Sequence, residues 1–162
     1  MSDEAAQAAP APAPAPVLGL DSFDTTAGAE EGAVMEVRSV ETGEVLRWPD
    51  EKGEPNGRPW TVTYYGNDAE RVQRVSRSQA DRYGSFLRRN PDGALSAILD
   101  KDRIELLVSA TISWDIPLGD GTPAANKPEE YRAAYKRYKW LFDQGNSFVG
   151  LRANFLKRKK ET

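Results

Sequence analysis

From residue 34 the apolar and polar positions alternate: Val34, Glu36, Arg38 and Val40 share one face of "VMEVRSV", and Met35, Val37 and Ser39 share the other. A period of two predicts a strand, here with mixed faces. Gly43 in "ETGE" suits a tight turn, and "VLRW" (45–48) reads as the returning strand of a hairpin. "PDEKGEPNGRP" (49–59) is a polar loop rich in proline and glycine, and "WTVTYYG" (60–66) is a third β-rich run. Residues 34–66 thus predict a small antiparallel sheet whose apolar side needs helical cover.

The period lengthens after Gly66. Asn67 or Asp68 is placed to cap a helix, Glu70 follows in its first turn, and Val72, Val75, Gln79, Tyr83 and Phe86/Leu87 recur at spacings of three and four. "NPDG" (90–93) ends it. "ALSAILDKDRIELLVSATISW" (94–114) reads as helical but poorly periodic, and Asp102 with Glu105 suggests a capping box dividing it. "DIPLGDGTPAAN" (115–126) is a loop. Asn126 or Lys127 caps the next helix, Pro128 takes its first position, and Glu129 and Glu130 favour its positive end. Tyr131, Ala134, Tyr135 and Tyr138 form one stripe; Leu141, Gln144, Phe148, Leu151 and Phe155 form a second. A break near Tyr138 to Trp140 lets the two stripes pack together, with Phe148, Leu151 and Phe155 inward. Gly145 and Gly150 each cost about 1 kcal/mol inside a helix, which points to close approach of a neighbour. The expected fold is α+β and mostly α, a small sheet over 34–66 followed by about four helices over 67–158.

Composition changes the picture at both ends. Residues 1–33 carry six acidic side chains and no Lys or Arg, so the remaining 19 acidic residues against 22 Lys and Arg leave the rest of the chain at +3. "APAPAPAP" (9–16) favours extended polyproline II, and residues 1–33 read as a disordered acidic tail. Within it "VLGLDSF" (17–23) reads as plain linker or as a short docking motif, and composition favours the linker. At the other end lies "KRKK" (157–160), and residues 159–162 close the chain as a basic tail.

With no cysteine and no histidine, disulfides, thiolate nucleophiles, Cys/His zinc sites and Ser-His-Asp triads are absent. Asp115 and Asp120 lack the spacing of a helix-loop-helix calcium site. No apolar run reaches the roughly 20 residues that span a bilayer, and the start lacks the pattern of a secretion signal, so the expectation is a cytoplasmic protein. Arg71, Arg74, Arg77, Arg82, Arg88 and Arg89 lie on one face of the first long helix, the spacing of a phosphate-binding stripe or of an ordinary solvated face. Glu70, Asp81 and the net charge of −3 weigh against nucleic acid.

Taken in order, "ETGE", "PWTVTYYGND", an apolar segment ending in "ISW", "KPEEYRAAYKRYKWLFDQ" and "FVGLRANFL" resemble the tail assembly chaperones of long-tailed bacteriophages and prophages, which are encoded just before the tape-measure protein. The resemblance spans about residues 34–158 as one domain. Its signature falls on Trp60, Gly66, Asp68, Trp114, Trp140, Leu141, Gln144, Phe148, Leu151, Arg152, Asn154, Phe155 and Leu156, while Ala69 stands where a Ser is expected.

The resemblance implies a non-enzymatic protein with no catalytic residue, cofactor or metal. It would bind the tape-measure protein, keep it soluble in the host cytoplasm, help tail-tube subunits assemble around it, and be absent from the finished virion. It also implies a longer frameshifted form of the chain as a partner, and it leaves room for a homo-oligomer. The competing class is a small nucleic-acid-binding regulator working through the arginine face of residues 71–89.

Overall fold

The computed structural model describes residues 23–93 and 95–156, so the calls on residues 1–22 and on the basic tail from 157 lie outside the described residues. The architecture is mixed and mostly helical. Helix α1 (Thr26–Glu31) leads into strand β1 (Ala33–Glu36), followed by β2 (Thr61–Tyr64), α2 (Glu70–Arg89), α3 (Ser96–Ala110), β3 (Thr111–Asp115), α4 (Pro128–Arg137) and α5 (Lys139–Gly150). A 3₁₀ turn, Arg152–Phe155, closes it.

The sheet has three antiparallel strands in the order β1-β2-β3, as expected in number but not in membership. Its third strand is β3, from the stretch read as helical, and not 45–48. Residues 37–60 form instead a narrow excursion held by the bridges Arg38 to Val45 and Arg47 to Pro59. The change from α3 to β3 has a local cause. Thr111 turns extended, and its hydroxyl donates to the carbonyl of Leu107 at 2.8 Å, closing the helix end while the β-branched Thr111 and Ile112 continue as strand. One residue of slack between Thr63 and Tyr64 opposite Ser113 and Thr111 makes a bulge at Ile112.

Three further expectations are corrected. Residues 26–31, assigned to the disordered tail, form α1, whose Gly28 and Ala29 are buried. A Cβ on Gly28 would overlap the backbone carbonyl of Phe155, so only glycine lets α1 lie this close to the 3₁₀ turn. Neither Asn67 nor Asp68 caps α2; its N-cap is Ala69, and the first amide is met by the Glu30 carboxylate of α1. Asp102 and Glu105 form no capping box. Asp102 sits buried in the middle of α3, paired with Arg82 of α2 at 2.9 Å, and Glu105 pairs with Arg132 of α4.

The core lies between the inner face of the sheet and the helices: Val37, Val62, Tyr64, Val72, Leu107, Trp114, Tyr135 and Leu141 are all buried. Each such side chain is worth about 1.5–3 kcal/mol on leaving water. Pairing of α2 with α3 makes an arm whose far end keeps Leu87 and Leu99 about 40% exposed. The break between α4 and α5 falls at Tyr138, where the sequence places it. Helix α5 ends at Gly150, so "FVGLRANFL" is a helix end plus a 3₁₀ turn and not one continuous helix.

Candidate functional site

Trp140, on the first turn of α5, lies between two depressions. The first is a cavity of about 520 Å³ over the end of the sheet, walled by Trp60, Ile116, Leu118, Tyr138, Trp140 and Leu141, with Glu130 and Arg137 of α4 at its rim. Its aromatic wall is organised: the Tyr138 and Trp140 rings are 6.4 Å apart, and the Arg137 guanidinium lies 5.3 Å from the Tyr138 ring centre. Trp114 forms the floor. Its indole N–H donates to the carbonyl of Ala125 at 3.0 Å, and its ring meets Tyr131 edge-on at 4.6 Å. Asn126 completes this lock by accepting from the Trp114 amide and donating to the Trp114 carbonyl. Thus Asn126 ties the loop to β3 and does not cap α4, whose N-cap is Lys127. The indole N–H of Trp60 is buried without a partner among the described residues.

The second depression is an open trough of about 1140 Å³ between the outer edge of β1 and α5. Val34, Val40 and Leu151 along it are 59%, 68% and 56% exposed, which is unusual for three aliphatic side chains sharing one surface. Phe148 makes its floor, 6.0 Å from the Tyr64 ring and 5.8 Å from that of Phe155. Gln144 closes one end. Its amide accepts from the Arg38 N–H at 3.0 Å and donates to the Arg38 carbonyl at 2.7 Å, the two bonds that a neighbouring strand would make.

Most signature residues therefore gather on this surface. Trp60, Trp114, Trp140 and Leu141 surround the cavity, and Gln144, Phe148, Leu151 and Asn154 line the trough. Leu151, expected to point inward, faces solvent, because the chain leaves the helix at that residue. The amide of Asn154 donates to the Phe148 carbonyl at 2.9 Å and so satisfies the frayed end of α5, the role its position suggests. Gly66, Asp68 and Phe155 belong to a separate joint. Gly66 packs against Ala29 and Phe155, and Asp68 accepts from the hydroxyl of Thr25 and from Arg152. The Thr25 hydrogen bond first, then Arg152, holds the Asp68 carboxyl below its usual pKa.

Sequence reasoning missed Val34, Val40, Ile116, Leu118 and Tyr138 as surface contributors. The mixed faces of "VMEVRSV" were the available signal, since Val34 and Val40 occupy the polar side of the alternation.

The arginine face of α2 is real but partly committed. Arg74 pairs with Glu70 at 2.8 Å and Arg82 with Asp102; Arg74, Arg77, Arg82 and Arg89 rim one shallow open groove together with Asp81. Of the acids considered for a metal, Asp115 is held by Arg58 and Asp120 by the amide and hydroxyl of Thr122. No cluster of three or more potential metal-ligating side chains occurs among the described residues. No helix among them is long and apolar enough to cross a membrane.

Compared with known proteins, the chain matches no family model, no curated protein and no solved structure.

Proposed function

We propose that this chain is a non-enzymatic assembly chaperone of the phage tail type, which holds a tape-measure protein soluble and helps recruit tail-tube subunits in the host cytoplasm without entering the virion. The observation that carries the reading is the aromatic and aliphatic surface centred on Trp140, where a cavity and a trough adjoin. A long helical client exposes apolar stripes that aggregate unless covered. A 520 Å³ cavity takes one or two large apolar side chains of such a stripe, and Glu130 and Arg137 at its rim can meet flanking charges. Several copies bound along one client gain avidity although each contact is weak, which leaves each copy displaceable by the tube protein.

The test is co-expression with the long, helix-rich product of the reading frame immediately downstream. The client's soluble fraction should rise with the chaperone and fall back when Trp140 is replaced by Ala. A client that stays insoluble at excess chaperone overturns the reading.

A second reading, nucleic-acid binding by α2, is favoured by the convergence of Arg74, Arg77, Arg82 and Arg89 on one groove. Its affinity for duplex DNA would fall with salt at a log-log slope of about −0.9 per phosphate neutralised, so a flat salt series dismisses it.

A further inference from the structure

The cavity beside Trp140 has one wall with a definite axis. Helix α4 contributes Glu130, Ala133, Ala134 and Arg137, positions that share one stripe two turns long. Of the described residues lining the cavity, two are charged, and they are the ends of this stripe. Glu130 lies in the first turn of α4 and Arg137 in its last, about 10 Å apart at the helical rise. Between them the stripe carries only the methyl groups of Ala133 and Ala134. Side chains that small let a second helix lie against α4 at about 8 Å between axes, the close end of ordinary helix packing. The other walls are apolar, with Trp60, Ile116, Leu118 and Trp140 around the space.

We infer that the occupant of this cavity is an amphipathic helix of the client running antiparallel to α4. It sets an acidic side chain opposite Arg137, a large apolar anchor into the cavity, and a basic side chain opposite Glu130, two turns after the acidic one. The inference rests on the chaperone reading for who carries this helix, and it adds the helix's charge order and direction. Helices favour acidic residues towards their N-terminal end and basic residues towards their C-terminal end. Helix α4 follows that order itself, with Glu129 and Glu130 in its first turn and Lys136 and Arg137 in its last. Laid antiparallel on α4, a second helix of the same order brings unlike charges together at both ends of the stripe. Laid parallel, it sets like against like. The charges thus select the direction, and the buried anchor supplies most of the affinity.

An extended segment fits this wall less well. In a strand a separation of about 10 Å is three residues, and side chains three apart point to opposite faces, so both charges cannot meet the stripe. A second copy can set α4 against α4 with the same charge match. Its stripe, however, brings only Ala133 and Ala134 to the centre and leaves a space of about 520 Å³ unfilled.

The experiment uses the full chain and three synthetic peptides. The first is a stapled helix carrying Glu, Leu four residues on and Lys three further on; the second has Lys first and Glu last at the same spacing and equal helical content; the third is the first interrupted by proline. Binding is read from tryptophan fluorescence, since Trp60, Trp114 and Trp140, three of the four tryptophans, line the cavity. The unaltered chain should bind the Glu-first helix about fivefold more tightly than the Lys-first one and about tenfold more tightly than the interrupted peptide. In Glu130→Arg/Arg137→Glu the preference for charge order should invert. In Glu130→Gln/Arg137→Gln, which is milder on α4, it should vanish, and Trp140→Ala should weaken both helices alike. Equal affinity for the two orders, a preference for Lys first, undiminished binding of the interrupted peptide, or no binding at millimolar concentration each overturns the inference. So does an affinity that falls as the protein's own concentration is raised, which assigns the cavity to a second copy. Client solubility is scored separately. A client held soluble by a chain with no charge-order preference removes this inference and leaves the chaperone reading; a clear preference beside an insoluble client does the reverse.

Discussion

The hydroxyl of Tyr64 on β2 lies 3.1 Å from the hydroxyl of Tyr135 on α4. Tyr135 in turn lies 2.8 Å from Thr111 Oγ1, which donates its only proton to the Leu107 carbonyl. The directions follow by elimination: Thr111 must accept from Tyr135, and Tyr135 must accept from Tyr64. A relay of three hydroxyls thus ties sheet, α3 and α4 together inside the core. Replacing Tyr135 by Phe breaks two of its links and leaves the Tyr64 hydroxyl buried without an acceptor, at a cost of about 2–3 kcal/mol. Replacing Tyr64 by Phe removes only the first donor, at about 1 kcal/mol. Urea unfolding of the two variants should show that order.

The same relay sets behaviour in alkali. Burial pushes the Tyr135 hydroxyl up to about 12 and the Tyr64 hydroxyl well above its usual value. A group whose folded pKa is raised stabilises the fold fully below its unfolded pKa, and that contribution is lost as pH rises through the folded value. The unfolding midpoint should therefore hold to about pH 10 and decline above it, and the decline should be shallower in Tyr64→Phe.

In acid the sign reverses. Arg132 holds the Glu105 carboxyl below its usual pKa, and Arg58 does the same for Asp115. These contributions are present above the ordinary carboxylate range and vanish as pH falls through the depressed values, so stability should drop below about pH 4. Glu105→Gln should be less stable than the unaltered chain at pH 7 and converge with it near pH 3.

Gly145 packs where a side chain has no room, since a Cβ there would lie 2.3 Å from the Tyr64 hydroxyl oxygen. Alanine would gain about 1 kcal/mol of helix propensity and lose more by displacing the relay, since overpacking costs about 1–3 kcal/mol. Gly145→Ala should be net destabilising, and Gly150→Ala, whose Cβ meets nothing within 4 Å, should not. Thermal unfolding of the pair separates packing from propensity.

The sequence revealed most where one residue type answers to one local force. Pro128 opening α4 and the break at Tyr138 are of that kind, because ring closure and an interrupted stripe act within a turn or two, whereas the close approach expected at both Gly145 and Gly150 is found only at Gly145, against the distant Tyr64. What escaped it depends on distant partners. "TISW" looks helical beside "IELLVSA" until β2 offers it a ladder, and Asp102 looks like a cap until Arg82 arrives from another helix. The trough was hidden for the same reason: Val34 and Val40 share one face of a single segment, but Leu151 comes from a distant one and joins their surface only after folding. Trp60, Trp140 and Phe148 were legible as apolar landmarks, but their division between a cavity and a trough was not.

The last prediction separates the two functional readings at single residues. Tyr138 is 36% exposed at the mouth of the cavity and is at once the C-cap of α4 and the N-cap of α5, so the opposed helix ends largely cancel in their effect on an added negative charge. Tyr138→Glu should consequently fold with a stability change under about 1 kcal/mol while placing a carboxylate against any apolar client. Arg77 and Arg89 lie on α2, outside both depressions, and Arg77→Glu/Arg89→Glu reverses the charge of the arginine groove without touching Trp140. A chaperone should lose several-fold in soluble co-expressed client with Tyr138→Glu and nothing with the arginine pair. A nucleic-acid binder should show the opposite pattern in duplex affinity. If the arginine pair abolishes client solubilisation while Tyr138→Glu leaves it intact, the aromatic surface around Trp140 is not where the client binds, because the added charge would then stand in a contact that does not exist.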